Sequence, residues 1–260
     1  MPTKHDLVAQ IAAQTAEQIS SGPGAYLDFL TTAANNYKYH FREQLLIFAQ
    51  KPETTACAEM ATWNKLGRWV NRGAKGIALL DDASGRNRVR YVFDLSDTNS
   101  RQGFEVRLWR MQERYEAGVI EALGNSFGEL EDHESFALDL IALSEQLVED
   151  NLSDYVELLE SSKADSLLEE VDSLNTRVWL GELVKSTVGF MALTRCGIDA
   201  RQFYDASAFS HLRDFNTYET ISVLGEAGSD IAEMMLREIE VTVRAMEKAE
   251  RKSNRTLVSS

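Results

Sequence analysis

Apolar residues recur at three-and-four spacing over residues 133–150, 152–172, 175–196 and 217–250, on an acidic background. From about Arg110 onward the chain must therefore be mostly helical, because only a helix gathers positions i, i+3, i+4 and i+7 on one face. The same period opens the chain. It runs over Lys4–Ser20, where Leu7, Ile11 and Ile19 mark the apolar stripe, then through "AYLDFLTTAANNY" and "FREQLLIFAQ". "SSGPG" at 20–24 separates the first two segments. Lys51-Pro52 ends the third, since a proline resists continuation of the helix before it. "CAEMATWNKLG" reads as a short helix closed by Gly67.

Only one window departs from this period. "RWV", the turn-rich "NRGAKG" and "IALL" read as a hairpin, with Gly73 and Gly76 supplying its flexible backbone. "RNRVRYVFDL" alternates, with Val89, Tyr91 and Phe93 on one face and Arg86, Arg88 and Arg90 on the other. "GFEVRLW" is either a further strand or merges with the helical region after it. The fold class is α+β: N-terminal helices with a small antiparallel sheet, followed by a mostly helical acidic domain. The expected divisions are a DNA-binding domain at 1–110, the acidic helical domain at 111–252 and a flexible tail at 253–260.

With 44% hydrophobic and 26% charged residues in 260, a sizeable core needs no staples. Cys57 and Cys196 follow no paired or metal-ligand spacing and read as reduced, part-buried thiols. No apolar run approaches the roughly 18 residues of a membrane span, and "MPTKHDLVAQIAAQTAEQI" has no apolar core of a signal peptide. The expected location is the cytoplasm, with no membrane partner. The formal charge of −14 is unevenly spread. Residues 36–114 hold 14 Lys/Arg against 9 Asp/Glu, a net of +5, and the remainder carries −19. Such asymmetry directs the search for a polyanion partner to one half of the chain.

The basic window supplies the first candidates: Arg68, Arg72, Lys75, Arg88 and Arg90 on strands or their turn, preceded by Lys65. Strands lie about 4.8 Å apart, comparable with phosphate spacing, and Trp63 and Trp69 offer flat faces for unpaired bases. The same residues also fit a solvated sheet face paired with the acidic domain, with the tryptophans in the core. "NNYKYHFREQLLIFAQKP" adds Lys38, His40, Arg42 and Lys51 with Tyr37, Tyr39 and Phe41 between them. Gln44 and Gln50 there could contact phosphate or base edges, while Leu45, Leu46 and Phe48 belong to a core. "HESFA" at 133–137 begins like the zinc-protease pattern H-E-x-x-H, but Ala137 stands where the second histidine is needed. The acidic helices read as a solvated outer face, or alternatively as a surface that mimics the phosphates of DNA. No phosphate loop, Ser/His/Asp set or cofactor motif is present.

"FREQLLIFAQKPETTACAEMATWNKLGRWVNRGAKGIALL" followed by "YVFDLSDT" resembles the N-terminal domain of the ArdC antirestriction family, a domain associated with binding single-stranded DNA. The resemblance covers about residues 24–98. It places Gln44, Gln50, Trp63, Gly67, Arg68, Gly73, Lys75, Gly76 and Ile77 on the family pattern. It implies phosphate contacts for Arg68 and Lys75, a turn shaped by Gly73 and Gly76, and structural roles for Ile77 and Trp63. The family usually has asparagine where Glu43 stands. "TRCGID", "DFNT" and "SDIAEMMLREIEVTVR" look like related large proteins of conjugative elements in Firmicutes, which implies further domains of a longer parent protein. "GELVKSTVGFMALTRCGID" resembles the family's metallopeptidase segment, with Glu182 at a third ligand position. Without H-E-x-x-H upstream, it implies a scaffold kept without its metal site.

The reading is a DNA-binding protein of a mobile element, not an enzyme, with no cofactor and no metal. Single-stranded DNA is the partner. Arg68, Arg72, Lys75, Arg88 and Arg90 contact phosphates, Lys38, Arg42 and Lys65 lie at the edges, and Trp69 or Tyr39 stacks. Two alternatives remain open: an acidic DNA mimic that captures a nuclease or methylase, and a divergent metallopeptidase around His133 and Glu182.

Overall fold

The computed structural model describes residues 2–81, 88–100, 106–128 and 133–258, with side chains as far as residue 253. Helix α1 (Lys4–Ser20) begins at a capping box: the Asp6 N–H donates to Thr3 Oγ1 at 3.2 Å, and the Thr3 N–H donates to Asp6 Oδ2 at 2.8 Å. Its buried stripe is Val8, Ala12, Ala16 and Ile19, and Leu7 is 47% exposed. The helix is where its period puts it, but its inward face is turned from the one expected. Small alanines on the buried face, Ala12 and Ala16, let it pack closely on its neighbours.

Helices α2 (Pro23–Asn35) and α3 (Phe41–Gln50) follow, then β1 (Cys57–Ala58), α4 (Met60–Lys65), β2 (Arg68–Val70), β3 (Ile77–Asp81), β4 (Arg88–Asp94) and β5 (Thr98–Ser100). Gly67 follows α4 with φ of +70°, the left-handed close expected there. The fold is α+β, but the strand pairing differs from the expected hairpin. β2 does not pair with β3. β3 lies antiparallel to β4 in a sheet ordered β1-β4-β3, with Ile77 opposite Val92 and Asp81 opposite Arg88. β2 pairs instead with β5 in a separate ribbon, Arg68 opposite Ser100 and Val70 opposite Thr98. The reason lies in the strands. Ile77–Leu80 is buried at every position and needs a long partner, which the seven-residue β4 provides and the three-residue β2 does not.

The faces of β4 differ from expectation too. Val92 and Asp94 are buried with Arg90 half-buried, whereas Tyr91 is 37% exposed. Arg86, and residues 103–105 of the expected strand "GFEVRLW", lie outside the described residues. Residues 106–109 have no regular structure, and the added strand is β5.

Helices α5 (Glu116–Phe127), α6 (Phe136–Asn151), α7 (Ser153–Ser162), α8 (Ser173–Arg195) and α9 (Tyr218–Val258) complete the chain. The helix expected over 152–172 stops at Ser162, and a turn-rich segment with Asp165 at φ of 63° leads to α8. Helix α9 spans about 60 Å at 1.5 Å per residue and reaches Val258, through the start of the tail expected at 253.

One hydrophobic cluster unites Tyr26, Phe29, Leu30, Phe41 and Leu45 with Val119, Leu140, Leu183, Leu224 and Leu236. Residues on both sides of position 110 thus share a core. The Tyr26 and Thr187 hydroxyls are 3.0 Å apart, and the Ser229 hydroxyl donates to Gln44 Oε1 at 2.9 Å. A close approach between the two parts of the chain is at Gly225 of α9, where a Cβ would collide with the Phe41 ring. A smaller cluster, Val8, Ala12, Leu46, Ile47, Leu79 and Val92, binds α1 and α3 to the sheet.

Candidate nucleic-acid interface

The sequence-derived binding residues fall into two groups rather than on one hairpin. The first surrounds the β2–β5 ribbon. Backbone alternation turns Arg68 and Val70 inward and leaves Trp69 44% exposed on the outer side. Arg68 anchors the ribbon: its Nε donates to Thr98 Oγ1 at 2.6 Å and its Nη2 to the Thr98 carbonyl at 2.8 Å. The Asn71 N–H continues the pairing by donating to the Asp97 carbonyl at 2.8 Å, and Asn71–Ala74 closes a turn in which Gly73 has φ of +87°. Lys65 at the end of α4, and Arg72 and Lys75 in the turn, are exposed. Between Met60 and Leu80 the chain has Lys65, Arg68, Arg72 and Lys75 and no acidic residue.

The second group, Lys38, Tyr39, Arg42 and Arg90, lines a cleft of about 470 Å³ beside α3. Its cations are largely committed within the protein. Arg90 pairs with Glu43, and with Glu59 at 3.2 Å. Lys38 Nζ lies 2.5 Å from Glu240. Glu43 is thus a partner for Arg90. Tyr39 is half-buried, donates its hydroxyl to the Cys57 carbonyl at 2.8 Å and has Arg90 6.0 Å from its ring centre, so it does not present an open stacking face. Arg88 is exposed and stands opposite Asp81 across the sheet.

Four motif residues hold the scaffold. Gln44 is fully buried and donates to the Tyr39 carbonyl at 2.8 Å. Gln50 bridges the edge of β3, accepting from the Ala78 N–H at 2.9 Å and donating to its carbonyl at 3.0 Å. Both direct their amide groups at backbone within the protein, although Gln50 is exposed. Trp63 is buried and its Nε1 donates to the Phe93 carbonyl at 2.9 Å. Asp94, which ends "VFD", accepts from the N–H groups of Thr55, Ala56 and Ser96 at 2.8–3.0 Å. Burial pushes its pKa up, but these bonds outweigh it and hold the carboxyl below its usual range. Both cysteines are free, and burial raises each thiol to about 12.

Sequence reasoning missed a third feature. A cleft of about 430 Å³ opens between α4, residues 106–109, the C-terminal end of α8 and the middle of α9. Glu240 sits in it and receives Lys38, the Tyr37 hydroxyl and, at 2.8 Å, Arg244 Nε. Burial raises the Glu240 pKa, yet the hydrogen bonds from Lys38, Tyr37 and Arg244 prevail and hold it at about 2. Arg195 and Trp109 also line this cleft. No local motif marks it, since its residues come from positions 35 to 244.

Among the described residues, no three His, Cys, Asp or Glu side chains converge to hold a metal ion. His133 Nδ1 lies 3.1 Å from Asp139 Oδ1, while Glu182 lines a cleft with Glu145 and His211 that His133 does not reach. No described helix is long and apolar enough to cross a membrane. The chain matches no family model, no curated protein and no solved structure.

Proposed function

We propose that this chain binds single-stranded DNA without regard to sequence, on the outer face of the β2–β5 ribbon. The observation that carries the reading is an exposed tryptophan at the centre of an acid-free basic stretch, in a chain of net charge −14. Trp69 stacks an unpaired base, a contact worth roughly 1–3 kcal/mol. Lys65, Arg72 and Lys75 take phosphates, and Arg68, tied to Thr98, holds the ribbon in shape. Arg42 lies at the margin. A duplex keeps its bases stacked on each other, so the tryptophan favours a single strand. The resemblance to the ArdC N-terminal domain supports the same reading and suggests a role in a mobile element, where a transferred strand arrives single-stranded. Binding rather than catalysis is the role proposed.

Tryptophan emission tests it. Trp63 and Trp109 are buried, and Trp179 is stacked on His211 with ring centres 4.1 Å apart, so the part of the quenching that is lost in Trp69→Phe reports on the ribbon. A thymine oligonucleotide should quench emission far more than a duplex of equal length. Trp69→Phe should remove most of the signal, and Trp69→Ala should weaken binding about 5- to 100-fold. Unchanged emission at saturating oligonucleotide would sink the stacking role.

A further inference from the structure

The 430 Å³ cleft lies within the size range of small-ligand pockets, about 300–1,000 Å³. Two of its polar groups, the half-buried Arg195 and the buried Asn36, have bonding capacity to spare. The Arg195 guanidinium stacks on Trp109, 3.6 Å from the ring centre, and among the described residues makes one hydrogen bond, from Nη2 to the Trp109 carbonyl at 3.2 Å. It has no carboxylate partner among the described residues, and burial lowers its pKa. Guanidinium groups so placed normally find an anion. Stacking fixes the plane of the fork, which suits it to the two oxygens of a phosphate.

The second group is Asn36, 3% exposed and lining the same cleft. Its Nδ2 donates to Thr32 and Thr54, at 2.9 Å each, but its Oδ1 is buried with no donor. A buried acceptor without a donor is uncommon and costs stability. A small shift of the side chain toward the cleft would let a ligand N–H or O–H satisfy it. Lys38, Arg195 and Arg244 against Glu240 leave the cleft at net +2, and Leu66, Val106 and Leu108 give it apolar wall.

We propose that this cleft binds a phosphorylated nucleotide, with the phosphate on Arg195 and Arg244 and a base or sugar donor on Asn36 Oδ1. The nucleotide is either free or the phosphorylated end of a strand. Leu66 at the cleft is three residues before Trp69, so a strand on the ribbon could deliver its end here; this second form rests on the single-strand reading.

The test is calorimetric titration of the full chain with dAMP, deoxyadenosine and inorganic phosphate. The expected order is dAMP tightest, with deoxyadenosine at least tenfold weaker. Arg195→Met should weaken dAMP at least tenfold while thermal melting shows a folded protein. Should Arg195→Met unfold, Arg244→Gln on the exposed side of α9 serves in its place and should weaken dAMP severalfold. A second arm compares 5′-phosphorylated, 3′-phosphorylated and unphosphorylated thymine oligonucleotides. A preference for one phosphorylated end that Arg195→Met abolishes assigns the cleft to strand ends. Equal binding of all three, with dAMP binding retained, assigns it to free nucleotide. Absence of dAMP binding at millimolar concentration, or affinity indifferent to the phosphate or to both arginine variants, overturns the proposal. Because dAMP is too short to span the ribbon, its result stands whether or not the ribbon binds DNA.

Discussion

At the scale of single residues, Glu240 shows how one buried carboxylate joins distant parts of the chain. It binds Lys38 and Tyr37 from the segment before α3 and Arg244 from its own helix. Its pKa of about 2, against 4.5 for an ordinary glutamate, means that folding favours the charged form. That stabilisation is complete above about pH 4.5 and is lost as pH falls through 2, on the order of 2–3 kcal/mol. Thermal melting between pH 6 and pH 3 should show a steeper loss in the native protein than in Glu240→Gln, which should already be less stable at pH 6. Parallel pH profiles for the two would contradict this role. Sequence alone did not disclose the set, because a glutamate 202 positions from Lys38 has no local pattern to mark it. Gln44 and Gln50 show the converse. Their polar chemistry was visible, but whether it faces the backbone or a ligand depends on which strand lies beside α3.

At the scale of elements, helices were far more legible than strand partners. α1 and α3 begin and end where caps, period and proline place them, since those signals are local. Pairing is not local. "RWV" and "IALL" are near in sequence and still take different partners, because burial of β3 on both sides favours the longer β4. The ribbon that results is held largely at Thr98, which is 6% exposed and takes two bonds from Arg68. Thr98→Val should remove the hydroxyl acceptor at about 1 kcal/mol. Amide exchange at Trp69 and Val70 should then accelerate while exchange in α8 stays slow. Equal acceleration everywhere would show that the ribbon is not a separately yielding element.

At the scale of the whole molecule, the expected division at residue 110 separates charge more clearly than it separates packing. The basic excess does lie within 36–114, yet α2 and α3 bury their apolar faces in the same cluster as α8 and α9. Periodicity shows which face of a helix is apolar but not which helix will cover it, so this union was not legible beforehand. Gly225→Ala should force the Phe41 ring from α9 and destabilise the protein by about 1–3 kcal/mol. Chemical denaturation monitored on Trp63 and on Trp179 should shift together, because both halves rest on that contact. A shift in one probe only would mean that they unfold separately.

The central claim is that the basic ribbon takes single-stranded DNA despite the acidity of the chain. Its most direct test is fluorescence anisotropy of labelled single-stranded and duplex oligonucleotides across a salt series, with Arg72→Glu/Lys75→Glu alongside. With Lys65, Arg72 and Lys75 on phosphates, log affinity for the single strand should fall against log salt with a slope of about −2. The duplex should bind more weakly, and the double reversal should abolish most binding. No binding at micromolar protein in low salt, or binding that the double reversal leaves unchanged, would contradict the claim.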